Sequence, residues 1–83
     1  MHVRVYVALK KTVLDPQGQA IQAALARQGY AVAAVRQGKV FELELAAETP
    51  EAARRQAEAI AREVLSNPVI EEFEVLAANA GRT

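Results

Sequence analysis

The sequence predicts an α+β domain whose elements follow in the order strand, helix, strand, strand, helix, strand. Apolar and polar residues alternate with a period of two in the segments expected to be strands. Two proline-marked joints, Asp15-Pro16 and Asn67-Pro68, separate strands from helices. This order is that of the ferredoxin-like split βαβ unit. We therefore expect a four-stranded antiparallel sheet with both helices on one face. The first and third predicted strands would lie at its centre, with the fourth beside the first and the second beside the third.

The first part of the chain is predicted to form a strand over residues 2–10 and a helix over 16–28. Valine recurs at every second position of the strand, which indicates one buried face. The carboxylate of Asp15 can accept a free N–H of the first helical turn, and the proline after it suits the first helical position. Gly18 is expected to permit close packing in that turn, and Gly29 to end the helix in a left-handed conformation.

A hairpin is predicted in the middle of the chain. Residues 31–35 are apolar and rich in alanine, whereas 41–45 alternate between large apolar residues and glutamate. The segment 36–39 between them is expected to reverse the chain, with Gly38 taking a positive φ. The two cations of this turn, Arg36 and Lys39, are candidates for contact with a carboxylate, a phosphate or an acidic protein surface.

The second helix is predicted to begin at Thr49, followed by a proline and by an acid that matches the helix dipole. Its apolar stripe comprises Ala53, Ala57, Ile60, Ala61, Val64 and Leu65. It is expected to end near Ser66, because Asn67 suits a helix end and Pro68 prevents continuation. A last strand follows. We expect one domain over 1–77 and a frayed tail over 78–83.

Composition limits the classes of function. The chain has 83 residues, no cysteine, and ten basic residues that balance ten acidic ones. Because so short a chain buries a small core and has no disulfides, we expect it to be an oligomer. The charge balance argues against nucleic acid as a partner. With neither a signal peptide nor an apolar run of membrane-spanning length, we expect a cytoplasmic protein that does not contact membranes.

Charge is unevenly distributed along the sequence. Residues 1–39 contain six basic side chains against one acidic, whereas 40–83 contain nine glutamates against four arginines. Opposite charges on neighbouring strands would explain this division without any ligand. The alternative is electrostatic pairing with a partner chain.

Catalytic patterns are scarce in this chain. His2 is the only histidine, it has no cysteine with which to hold a metal, and we expect it to be an ordinary surface or strand-edge residue. Gly18 lacks the spaced glycines and the lysine of a phosphate-binding loop. We expect no catalytic residue, no metal and no cofactor bound by this chain.

Other uses of this element order leave one alternative open. An RNA-recognition domain needs several aromatic residues on its central strands, and Tyr6 alone is expected to lie on the outer face there. An acylphosphatase-like enzyme would need an arginine in a phosphate-binding loop after the first strand. A small-molecule-sensing regulatory domain would rely on a glycine at the joint after the first strand, which Gly18 permits.

Taken in order along the chain, four short segments resemble the PurS family, the small subunit of phosphoribosylformylglycinamidine synthase. They are Lys10-Lys11, Leu14-Asp15-Pro16-Gln17-Gly18, Val35-Arg36-Gln37-Gly38-Lys39-Val40-Phe41-Glu42-Leu43 and Asn67-Pro68-Val69-Ile70-Glu71. Each segment alone is weakly specific, but their order and the length of the chain agree with the family. The resemblance spans nearly the whole sequence.

The resemblance implies an accessory subunit of an ATP-dependent amidotransferase complex in purine biosynthesis. Such a subunit is a homodimer or larger oligomer and joins a large synthetase subunit of the PurL type to a glutaminase subunit of the PurQ type. ATP, magnesium and glutamine would be used by those partners, and this chain would assist ammonia transfer. The resemblance favours Arg36, Gly38 and Lys39 as partner contacts. Asp15, Pro16, Gly18, Asn67 and Pro68 would be structural.

Overall fold

The computed structural model describes residues 1–79 and contains three strands and two helices. They are β1 (His2–Leu9), α1 (Pro16–Arg27), β2 (Gly38–Glu44), α2 (Pro50–Ile60), which continues as a single π-helical turn (Ala61–Leu65), and β3 (Glu71–Asn79). The sheet has the order β2-β1-β3, and β1 is antiparallel to both neighbours. The central position of β1 and its two neighbours confirm that part of the predicted topology.

The prediction of a fourth strand was wrong. Residues 31–35 form no strand, and the sheet of the described residues has three strands. The side-chain amide of Gln22 in α1 donates to the carbonyl oxygens of Val32 and Ala33, at 3.2 and 2.9 Å. This segment therefore runs back along α1 instead of pairing with β2. Among residues 1–79, no strand lies beside the outer edge of β2, and the predicted hairpin does not form.

The core lies between β1 and α2. Val3, Val5 and Val7 are completely buried on one face of β1, as their alternation predicts. The helix side of the core consists of alanines that are also fully buried: Ala53, Ala57 and Ala61. Because alanine has so small a side chain, the axis of α2 can lie close to the sheet. Larger apolar side chains, including Phe41, Leu43, Leu65, Phe73 and Val75, surround this core and are partly buried.

The expectation that both helices cover the sheet was also wrong. Gly18 is the one buried residue of α1, and Ile21 on its apolar side is 42% exposed. The molecule measures 49 × 31 × 14 Å, with a radius of gyration of 15.8 Å. A compact domain of this length would have a radius of gyration of about 12 Å. Helix α1 therefore projects from the sheet, which leaves the β2 side without a helical cover.

Helix α2 begins as predicted and ends differently. The hydroxyl of Thr49 accepts a hydrogen bond from the N–H of Ala52 at 3.1 Å, and Pro50 occupies the first turn. After Ile60 the helix widens into the π turn, which is closed at Ser66 by two hydrogen bonds to the carbonyl of Ala61. Since a π turn contains more residues than an α turn, it rotates the side chains that follow.

The π turn corrects the predicted apolar stripe. Val64 is 75% exposed and lies outside the core, whereas Leu65 packs against it. A regular spacing of 3.6 residues per turn would place Val64 on the apolar stripe, and the π turn removes it from there.

Strand β3 is longer than expected. It runs to Asn79, where Ala78 pairs with Val3 and Asn79 pairs with His2. The register shifts between Arg4 and Val5, which marks a β-bulge in this pairing. The predicted tail therefore begins at least two residues too early, and its residues 80–83 lie outside the described residues. Within residues 1–79, no helix is long and apolar enough to cross a membrane.

Candidate functional site

The motifs of the sequence meet at one end of the sheet. The end of β1, the start of β2, the start of β3 and the first turn of α1 surround a half-open cleft of about 380 Å³. Its lining includes Val7, Ala8, Leu9, Asp15, Gln17, Gln37, Gly38, Lys39 and Glu71. Segments far apart in the sequence are therefore brought together around a single cleft.

Asp15 joins the start of α1 to the start of β2. It is 4% exposed, and its two carboxylate oxygens accept hydrogen bonds from the N–H groups of Gly18, at 2.9 Å, and Gln37, at 2.8 Å. The pKa of Asp15 is lowered, chiefly by the hydrogen bond from Gln37 and then by the one from Gly18. The nearby charge of Arg36 lowers it further, whereas burial of the carboxyl raises it. The predicted helix cap is confirmed, and the second bond adds a link that the sequence did not reveal.

Gly18 is required because another part of the backbone lies against it. A Cβ atom at this position would collide with the carbonyl oxygen of Val35, and would lie 2.8 Å from a carboxylate oxygen of Asp15. The close packing expected at Gly18 is therefore confirmed, and its neighbour is the segment before β2.

Arg36 is engaged by the backbone of its own chain. Its guanidinium donates to the carbonyl oxygens of Lys10 at 2.9 Å, Val13 at 3.2 Å and Leu9 at 3.3 Å. These carbonyls belong to the end of β1 and to the loop before α1. Arg36, predicted as a partner contact, thus closes this loop, although its side chain remains near the surface.

Gly38 has a different role from the one predicted. It starts β2 opposite Ala8 and does not have a positive φ, whereas Gly29 does, at 91°. A Cβ atom at Gly38 would lie 2.5 Å from the ring of Tyr6. The glycine therefore makes room for this aromatic ring on the sheet face opposite to α2.

Lys39 is the cation of this segment that remains accessible. Its side chain is 60% exposed, its Nζ lies 4.0 Å from a carboxylate oxygen of Glu71, and it stands 5.8 Å from the ring centre of Phe41. An ion pair this long, whose lysine is exposed, restrains the Lys39 side chain weakly. Lys39 can therefore turn toward an acidic group at the mouth of the cleft.

The second joint is a compact hydrogen-bonded turn. The side-chain oxygen of Asn67 accepts from the N–H of Val69 at 3.1 Å, and its carbonyl accepts from those of Ile70 and Glu71. The carboxylate of Glu71 in turn accepts from the N–H of Asn67 at 2.7 Å. These hydrogen bonds describe how Asn67 would serve its expected structural role, and Pro68 lies within the same turn. Glu71 was missed as an anchor, although an acid four residues after the asparagine could have indicated it.

His2 is more enclosed than the sequence suggested. It is 8% exposed, with Nδ1 at 2.9 Å from a carboxylate oxygen of Glu44 and Nε2 at 3.2 Å from one of Glu42. These contacts link β1 to β2. Within residues 1–79, no group of three or more His, Cys, Asp or Glu residues could hold a metal ion.

The contacts around the cleft are mainly structural. The polar side chains of the motifs bind main-chain groups and fix the ends of four elements relative to one another. The arrangement provides a rigid surface, at which Lys39 offers a positive charge.

Comparison with known proteins agrees with the motifs. The profile of the family described as "PurS: Phosphoribosylformylglycinamidine (FGAM) synthase" matches residues 2–79. The phosphoribosylformylglycinamidine synthase subunit PurS of Synechocystis is 42% identical over 73 residues, which cover 87% of this chain and 73% of that protein.

Solved structures give the same result. The PurS subunit of Thermotoga maritima has a TM-score of 0.85 and 35% identity, covering 92% of this chain and 88% of that one. A chain in the structure of PurLQS from the same organism has a TM-score of 0.80 and 34% identity, covering 93% and 98%. From the profile, the sequence identity and the shared fold together, the chain belongs to the PurS family, the small subunit of phosphoribosylformylglycinamidine synthase in purine biosynthesis.

Proposed function

We propose that this chain acts as a non-catalytic scaffold in the synthase, holding the glutaminase subunit beside the ATP-dependent synthetase subunit so that ammonia passes between them. The observation that carries this proposal is the likeness to a chain within the PurLQS assembly of Thermotoga maritima, at a TM-score of 0.80. A subunit of such an assembly needs a rigid surface more than a reactive group.

The engaged motif residues support a scaffold role. Asp15 and Arg36 each hold main-chain groups of another segment, and Asn67 holds a main-chain N–H of its own turn. ATP, magnesium and glutamine are, in this proposal, bound by the larger subunits, and the assembly works in the cytoplasm.

Lys39 is the contact residue that this proposal favours at the cleft. Arg36 already donates to three carbonyls, so reversing its charge would disturb the loop as well as any interface. Lys39 is exposed, and its contacts are a 4.0 Å ion pair with Glu71 and the ring of Phe41 at 5.8 Å. Its substitution therefore separates assembly from folding.

The test measures formation of the amidine product by the synthetase and glutaminase subunits, with and without this chain, using glutamine or ammonium as the nitrogen donor. We expect the chain to restore the glutamine-dependent rate and to leave the ammonium-dependent rate unchanged. We expect Lys39→Glu to weaken assembly several-fold, whereas Lys11→Glu, an exposed loop control, does not. If the chain alters neither rate and forms no complex, the scaffold role is wrong.

We further propose that the chain forms a homodimer in which the second copy covers the β2 side of the sheet. The sequence predicts a helix and a fourth strand there, but in a single chain α1 projects and 31–35 lies along it. The corresponding segments of a second copy have the right composition to occupy this place. The β3 edge is less available, because a bulge interrupts it and Arg54 donates to the carbonyl of Val75 at 3.3 Å.

A further inference from the structure

The sheet face opposite to α2 is left uncovered by the described residues and is acidic. Strand pairing places Arg4 and Tyr6 of β1 on this face, with Glu42 and Glu44 of β2 on one side. Glu72 and Glu74 of β3 lie on the other side. Four glutamates therefore lie on this face with Arg4 and His2, and His2 contacts Glu42 at 3.2 Å and Glu44 at 2.9 Å. The face keeps an acidic surplus, which on the β3 side comes from Glu72 and Glu74.

Apolar surface accompanies these charges. Val40 is 53% exposed and Leu76 is 47% exposed, and both lie on or beside this face. The ring of Tyr6 lies directly against Gly38, so closely that a Cβ atom on this glycine would be 2.5 Å from the ring. This packing fixes an aromatic surface near the middle of the sheet. Fixed aromatic groups among polar neighbours are typical of protein interfaces.

A cleft on this face has room for a side chain. It has a volume of about 360 Å³ and is lined by Tyr6, Ala8, Glu72, Phe73 and Glu74. No ion pair to Glu72 or Glu74 is found among residues 1–79. An incoming guanidinium or ammonium group could contact the Tyr6 ring and one of the carboxylates together.

We propose that this sheet face docks a basic protein surface of a different chain, with an arginine or lysine side chain in the Tyr6 cleft. A second copy is a poor occupant, because its equivalent face would set glutamates against glutamates. Nucleic acids and anionic membranes are repelled for the same reason. This inference rests on the proposed function, in which the basic surface belongs to one of the two larger subunits.

The test compares binding of two variants to the purified larger subunits over a range of salt concentrations. The face variant is Glu72→Gln with Glu74→Gln, which removes two charges and keeps the side-chain size. The matched control is Glu48→Gln with Glu63→Gln, exposed acids outside this face. Thermal unfolding and sedimentation of both variants verify that fold and self-association are unchanged.

We expect the face variant to bind about tenfold more weakly at low salt, with the difference disappearing near 1 M salt, where charges are screened beyond about 3 Å. The control should match the wild-type chain throughout. If the face variant binds as tightly as the wild type, the docking inference is overturned and the scaffold role stands. If the wild-type chain itself binds neither subunit, the proposed function fails and the inference fails with it.

Discussion

Single residues in this chain act mainly on the backbone of other segments. Asp15 and Arg36 show this clearly. The carboxylate of Asp15, at the start of α1, binds the N–H of Gln37, and the guanidinium of Arg36 binds the carbonyl of Lys10 in the loop before α1. The sequence indicated Asp15 because a helix cap is a local feature with a known residue preference. The contacts of Arg36 span 23 to 27 residues, so local spacing could not reveal them.

The lowered pKa of Asp15 predicts a pH dependence of stability. A carboxyl whose pKa is lower in the folded state stabilises the fold fully above its ordinary pKa of about 4, and this stabilisation is lost as pH falls through the folded value. Asp15→Asn should therefore lower stability at pH 7 and flatten its decline between pH 5 and pH 2. Denaturant unfolding at a series of pH values measures this. Parallel curves for the two proteins would show that Asp15 does not cause the decline.

At the scale of elements, prediction succeeded where the signal was local and failed where it depended on neighbours. The starts of α1 and α2, the left-handed Gly29 and the buried alternation of β1 were predicted correctly. Residues 31–35 have a strand-like composition, but a strand requires a partner, and Gln22 binds this segment instead. The candidate site was predicted as separate motifs, and only the fold shows that they share a cleft.

The π turn makes a prediction about two adjacent residues of α2. Val64→Ser should change the free energy of unfolding by less than about 0.5 kcal/mol, because the side chain is 75% exposed. Leu65→Ser should cost about 2 kcal/mol or more, because Leu65 packs on the core. Urea unfolding of the two variants compares them directly. Similar losses for the two variants would mean that both side chains lie on the apolar stripe, as regular α spacing predicts.

The whole molecule is elongated because one helix leaves the sheet. A radius of gyration of 15.8 Å and a thickness of 14 Å show that little of α1 is buried by its own chain. Sequence patterns cannot show whether an apolar helix face is covered by the same chain or by another, since both require the same residues.

The proposed dimer predicts a mass near twice 9.0 kDa in sedimentation equilibrium. Ile21→Glu should shift the population toward monomer, because this apolar side chain of α1 is 42% exposed in the single chain. Gln19→Glu adds the same charge at an exposed polar position of α1 and should leave the dimer intact. A monomeric wild-type protein at all concentrations would contradict the dimer.

The position of β1 also determines when the sheet can form during synthesis. β1 is made first, yet its partners are residues 38–44 and 71–79. Such distant pairings slow folding, because long loops must close before any contact stabilises them. A ribosome-bound chain therefore cannot complete this sheet until β3 has been translated, and until then one edge of β1 has no strand partner.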